Sequence, residues 1–216
     1  MISPKLLKGG LALLDATSSR VERLISLQYN PDSLSRTLEV QGSGADGGGE
    51  RGQPFRLKGP AVESIKLEAD IDATDQLEFP DQNPNAVAFG IAPQLALLEA
   101  IVNPTSRELL ELSAKSEAGV LEILPPEAPL TLFIFSRSRV VPVRVTEFSI
   151  TEEAFDAELN PIRAKVSLGL RVLTTDDLGF RSRGGTLFLS YLRGREGLAR
   201  KGGGVQLSAF GIDELP

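Results

Sequence analysis

Apolar and polar residues alternate most strictly across residues 61–72, AVESIKLEADID, where Ile65, Leu67, Ala69 and Ile71 are separated by Ser64, Lys66, Glu68 and Asp70. A period of two predicts a strand with one dry and one wet face, which suits an antiparallel sheet and not a doubly wound parallel one. Residues 163–173 repeat the pattern, with Ala164, Val166, Leu168, Leu170 and Val172 opposite Arg163, Lys165, Ser167, Gly169 and Arg171. A third alternating run, residues 21–29, sets Val21, Arg23, Ile25, Leu27 and Tyr29 on one side and Glu22, Ser26 and Gln28 on the other. It stops at Tyr29-Asn30-Pro31-Asp32-Ser33-Leu34, where Pro31 biases Asn30 away from helix and Asn30 or Ser33 can bond nearby backbone amides. One tight turn is expected there before an extended run over residues 34–41. Further strands are expected over residues 130–136 and 140–150, the second an edge or bulged strand because Pro142 lacks an N–H. The acid-rich TEEAFDAELNPI that follows reads as a hairpin loop.

Helical spacing is confined to two regions. Within residues 86–104, Pro93 suits a first turn and Leu95, Leu98, Ile101 and Val102 repeat on one face before Asn103-Pro104 ends the run. Residues 107–112 add a further turn. Residues 179–201 form an amphipathic helix with Leu187, Tyr191, Leu192 and Leu198 as its apolar stripe. The Gly-rich GSGADGGGERGQP, residues 42–54, reads as a flexible loop, and residues 202–216 as an exposed tail. The apolar run at residues 11–14 is too short for a signal-peptide core, and no window approaches a membrane span, so synthesis in the cytoplasm and no direct membrane insertion are expected. The pattern divides the chain into an N-terminal tail (1–19), a β domain (20–175) and a basic C-terminal extension (176–216). It predicts an α+β, β-rich fold of antiparallel strands with one flanking helix and a C-terminal helical extension.

Composition then removes most chemistry. With no Cys and no His, the chain lacks thiol nucleophiles, Cys/His zinc sites and imidazole bases. The acids Asp70, Asp72, Asp75, Glu78 and Asp81 lack the central Gly and closing Glu of a calcium loop, and no aromatic platform for a sugar lies near them. The Gly-rich loop lacks the Gly-Lys-Ser/Thr ending of a phosphate loop. Ser18, Ser19 and Ser35 have no partner that would activate them. Neither a catalytic residue nor a metal or cofactor is expected; a carboxylate-based hydrolase acting on envelope polysaccharide and an isolated binding module are the alternatives.

Charge is uneven. Arg181, Arg183, Arg193, Arg195, Arg200 and Lys201 stand against Glu196 alone, so residues 181–201 are +5 and the rest of this −6 chain is −11. Seven acids fall between Glu63 and Asp81 with only Lys66 as a base, so one copy has the means to attract the tail of another. An acidic chain of pI ≈ 4.9 with few aromatics beside its basic segment points to a protein partner and not to nucleic acid. Candidate contact residues are Arg181, Arg183, Phe188, Tyr191, Leu192, Arg193 and Arg195.

The order of these parts carries a resemblance. Tyr29-Asn30-Pro31-Asp32-Ser33-Leu34, a Gly-rich break, a strand ending in DIDATDQ, the segment PQLALLEAIVNP, Ala128-Pro129-Leu130 leading to Phe135, and Phe155-Asp156 through Asn160-Pro161-Ile162-Arg163-Ala164 follow in turn. Over residues 20–175 this resembles the tube-related baseplate family of contractile injection systems, phage-tail-like particles that drive an inner tube through a target envelope. The resemblance implies an inner-tube-like β-barrel or sandwich with a flanking helix. It also implies a structural subunit, six copies of which form a ring between the inner tube and the spike or hub. Implied partners are the chain itself as a homohexamer, the inner-tube protein, and spike, hub and other baseplate proteins, in a particle that is assembled in the cytoplasm and can be released. Many members carry a C-terminal LysM module; here the basic segment 181–201 takes that place, which suits a shortened adaptor, with a repeating inner-tube subunit as the alternative.

Overall fold

The structure, a computed structural model, describes residues 7–15, 20–43, 56–119, 128–204, 207–212 and 214. The three alternating segments form strands, and one of them, residues 62–72, alternates buried and exposed almost without exception. In chain order the main-sheet strands are β1 (Gly10–Leu14), β2 (Val21–Ser26), β3 (Leu34–Glu39), β6 (Val62–Asp72), β7 (Leu130–Ser136), β8 (Arg139–Phe155) and β9 (Pro161–Val172); β4 (Gly42–Ser43) and β5 (Arg56–Leu57) pair as a separate ribbon. The main sheet runs β2-β1-β7-β8-β9-β6-β3, antiparallel throughout. Most of the Gly-rich loop expected at residues 42–54 lies outside the described residues.

The fold is α+β and β-rich, as the pattern predicts, and its sheet is curled but not closed. Ile25 and Leu27 from one edge enter the same core cluster as Ala69 and Ile71 of β6 and Val166 of β9. The Gln28 amide spans the gap: it donates to the Asp72 carbonyl at 2.5 Å and accepts the Asp72 N–H at 2.9 Å, standing in for a strand partner. Residues 27–33 therefore carry the chain from one edge strand to the other. The expected tight turn is a crossover, and its length of seven residues forces the curl.

Gly10–Leu14, within the expected N-terminal tail, is an interior strand between β2 and β7. Leu11 and Leu13 face the main core, while Ala12 and Leu14 join Leu132 in a second cluster on the other side. Burial on both faces gives an unbroken apolar run, which has no alternation to reveal it. β2, by contrast, lies at the edge and buries only Ile25, so Val21 of its alternating pattern, and Leu24 on its other face, remain exposed.

Pro142 is not on an edge strand: it is fully buried between β7 and β9. Its carbonyl accepts the Leu173 N–H at 2.9 Å, so its missing donor faces the end of the β9 ladder, where little pairing is lost. The acid-rich segment expected as a loop is mostly strand, since β8 runs to Phe155 and only residues 156–160 turn. Asp156 builds that turn by accepting the N–H groups of Glu158 and Asn160, both at 2.8 Å.

Helices sit at the two ends of the strands. At the C-terminal end of β6 lie α1 (Thr74–Leu77), α2 (Pro84–Phe89) and α3 (Ala92–Glu99), followed by α4 (Ser106–Glu117). The helix expected within residues 86–104 is α3, with Pro93 in its first turn as expected; the shorter α2 precedes it, and the two are separated at Gly90, whose φ is +55° and where a Cβ would lie 2.1 Å from the Pro161 carbonyl oxygen. Leu95 and Leu98 of α3 are buried, Ile101 packs partly, and Val102 faces out. At the other end lie α5 (Thr175–Leu178) and the 19-residue α6 (Arg183–Lys201).

Candidate functional site

The central strands build a polar surface. Lys66, Glu68 and Asp70 of β6 pair directly with Gly169, Ser167 and Lys165 of β9, which in turn oppose Glu147, Ser149 and Thr151 of β8. The β6 and β9 polar rows, together with that of β8, thus form one face three strands wide. Its charges are matched in part: Lys66 meets Glu147 at 2.8 Å and Lys165 meets Glu153 at 3.5 Å, while Glu68 accepts the Ser167 hydroxyl at 3.4 Å. Lys66 and Glu147 stand on strands that do not touch, and they meet above Gly169, where a Cβ would lie 2.7 Å from the Glu147 Cβ. An exposed pair like this adds little stability. Its consequence is a polar face on which both lysines are already paired.

The motif at residues 29–34 works over a longer range than its local chemistry suggested. Asn30 accepts the Gly9 N–H and donates to the Leu7 carbonyl, both at 2.9 Å, and so holds the entry to β1. Leu34 opens β3 opposite Leu67. Tyr29, Asp32 and Ser33 are exposed and Pro31 is half-buried.

The C-terminal segment divides into an inner and an outer set. Gly184, Gly185, Phe188 and Tyr191 are buried, and Gly184 packs against Leu178 and Leu130, where any side chain would collide. Phe188 and Tyr191, expected as partner contacts, are core residues of this chain; Leu192 and Leu198, expected in the buried stripe, are exposed. Arg181, Arg183, Arg193 and Arg195 are exposed as well, with Arg195 stacked over the Tyr191 ring at 5.9 Å.

A buried polar cluster fastens α6 to the sheet, and sequence reading missed it. Glu63, only 5% exposed, takes Arg36 of β3 at 2.5 Å and the Tyr191 hydroxyl at 3.2 Å. Burial raises the Tyr191 hydroxyl pKa, with the Glu63 charge adding to it, and the bond to Glu63 raises that of Arg36. The signal was present as Glu63 in an otherwise apolar inward row, Glu63-Ile65-Leu67-Ala69-Ile71, but it fell at a strand end and read as part of an acidic run.

That run does not converge. Glu63 lies at one end of β6 and Asp72 at the other, where Asp72 bonds Arg163 at 2.7 Å and caps Thr74. Burial pushes the Asp72 carboxyl up, but the Thr74 hydroxyl and N–H and the Arg163 guanidinium outweigh it and hold its pKa below the ordinary value. Among the described residues, no group of three or more acids could hold a metal ion. No helix among them is long and apolar enough to cross a membrane.

No protein-family model matches the chain, and no curated protein matches it. Nine solved chains match in structure. One is from the tail of an empty GTA particle, computed with helical refinement in C6 symmetry: it is 12% identical, covers 76% of this chain and 90% of its own, and superposes with a TM-score of 0.30. At that overlap no role transfers from it, and the functional reading rests on this chain's own surfaces and on its sequence resemblance.

Proposed function

We propose that this protein is a non-enzymatic structural subunit of a contractile injection particle, forming a homohexameric ring in the baseplate that joins or nucleates the inner tube above the spike or hub. The observation that carries the reading is the pair of uncovered edges on a curled sheet: β2 and β3 are outermost, and among the described residues no strand pairs with their outer sides. Unpaired edges are a liability in a monomer. Pairing β3 of one copy with β2 of the next covers both at once and is heterologous, so it can close into a ring. The curl then turns one sheet face toward a common axis, and the polar face of β6, β9 and β8, with its lysines already paired, suits a conduit that must not grip what passes. The expected domain division, a β domain with a basic extension, remains part of this proposal, as do the inner-tube, spike and hub partners.

The absence of native cysteine makes a direct test simple. Ser26→Cys on β2 and Thr37→Cys on β3, both exposed, are introduced together and oxidised in the assembled state. A ladder of covalent species ending at a closed ring of about six copies supports the reading. Cross-linking no more frequent than for a control pair on non-edge positions overturns it. Copy number per particle separates one baseplate ring from a repeating tube subunit.

A further inference from the structure

Among the described residues, none buries the second half of α6, whose side chains from Leu192 on are almost all exposed. Gly184, Phe188 and Tyr191 face the core, and the same helical stripe continues four and seven residues further at Arg195 and Leu198. Yet Leu198 is 52% exposed and Arg195 covers only the Tyr191 ring. From Leu192 onward, roughly 15 Å of helix at 1.5 Å per residue overhangs the sheet. Arg193, Arg195, Arg200 and Lys201 surround the apolar stripe there, and none makes an ion pair among the described residues.

The opposite end of the molecule carries the complement. Tyr191 touches Glu63 at the start of β6, whereas Asp75, Glu78 and Asp81 follow its end, roughly 30 Å away at about 3.3 Å per strand residue. These three acids are exposed and make no ion pair among the described residues. Apolar groups share this end of the sheet: Phe79 is exposed, and Leu159, 78% exposed, is held at the β8–β9 turn in the left-handed region at φ 66°. Each pole thus offers an excess of one sign of charge, Glu196 being the lone acid on the overhanging helix, around exposed apolar side chains, the make-up of a protein contact with a desolvated centre and a charged rim.

We propose that the overhanging half of α6 docks on the Asp75–Glu78–Asp81 end of a second copy, head to tail along the strand direction. The sheet edges that close a ring lie across this direction, so the contact joins copies in successive layers. It takes the ring reading as its premise and extends it from one layer to two.

Charge exchange tests it on the full chain. One variant carries Arg193→Glu, Arg195→Glu and Arg200→Glu; the other carries Asp75→Lys, Glu78→Lys and Asp81→Lys. All six positions are exposed, and far-UV circular dichroism checks that each variant folds; Arg193→Glu and Glu78→Lys alone serve as the minimal pair. Sedimentation velocity is expected to show layer-to-layer association weakened at least about tenfold in each variant alone. It is expected to return when the two are mixed, because the acidic helix of one then meets the basic end of the other. Wild-type association should weaken as salt rises from 0.05 to about 1 M and the screening length falls to roughly 3 Å. Undiminished association in either variant alone, or no recovery on mixing, overturns the proposal, as does a wild-type chain that forms no contact beyond a single ring. The edge-cysteine ladder is independent of these charges, so failure of the layer contact and failure of the ring are told apart.

Discussion

Replacing Glu63 by Ala removes the anchor between α6 and the sheet. The carboxylate is 5% exposed, and its partner Arg36 retains 18% exposure on its side chain at 2.5 Å. Breaking a buried ion pair by deleting one partner costs about 3–5 kcal/mol, because the remaining charge is left without compensation. Arg36 recovers part of that from the water it still reaches. The Tyr191 hydroxyl, 3.2 Å from Glu63, loses a charged acceptor, which adds about 1 kcal/mol. The net expectation is a loss of about 3 kcal/mol, read as a lower urea midpoint at unchanged slope. Replacing both partners, Arg36→Met with Glu63→Leu, should restore most of the stability, since paired apolar side chains need no compensation. A Glu63→Ala loss below about 1 kcal/mol, with the double variant no better, would refute the assignment of this cluster as the fastening of α6.

Gly169→Ala is expected to destabilise by about 1–3 kcal/mol, because the new methyl lies 2.7 Å from the Glu147 Cβ; an unchanged melting temperature would mean that the strands above Gly169 are looser than described. The pKa values of both Asp72 and Asp177 are lowered in the folded protein: burial raises each, and hydrogen bonds from Thr74 or Thr174 together with Arg163 or Arg171 outweigh it. Their stabilising effect is therefore complete above the unfolded carboxylate value near 3.9 and is lost as pH falls through the folded values. The Asp72→Asn, Asp177→Asn double variant should show a flatter decline in stability below about pH 4 than the parent chain, and parallel acid limbs would contradict this.

Strands with one wet face were legible, because burial on one side writes a period of two into the chain. β6 follows its alternation residue by residue, and β9 does so apart from the buried Gly169. What stayed hidden was set by tertiary position. β1 is buried on both faces and carries no alternation. Pro142 reads as the mark of an edge or bulged strand; β8 is interior but irregular in register between Val145 and Glu147, and the missing donor falls where a neighbouring ladder ends. The inward face of α6 was misplaced because Gly184 and Gly185 mark it as much as Phe188 and Tyr191 do, and a search for large apolar residues passes over glycine. The acidic run read as one patch, although the strand carrying it separates Glu63 from Asp75 by the length of the sheet. Cross-strand matching of Lys66 with Glu147 also needed the register, which no local pattern contains.

The most direct test of the assembly claim is to tag the protein in its own cell, recover it gently, and examine the eluate by negative-stain microscopy with quantitative mass spectrometry. The account expects sheathed rods that contain the chain in multiples of about six, with a single multiple marking one ring and more marking stacked layers. A lone monomer with no rods would contradict it.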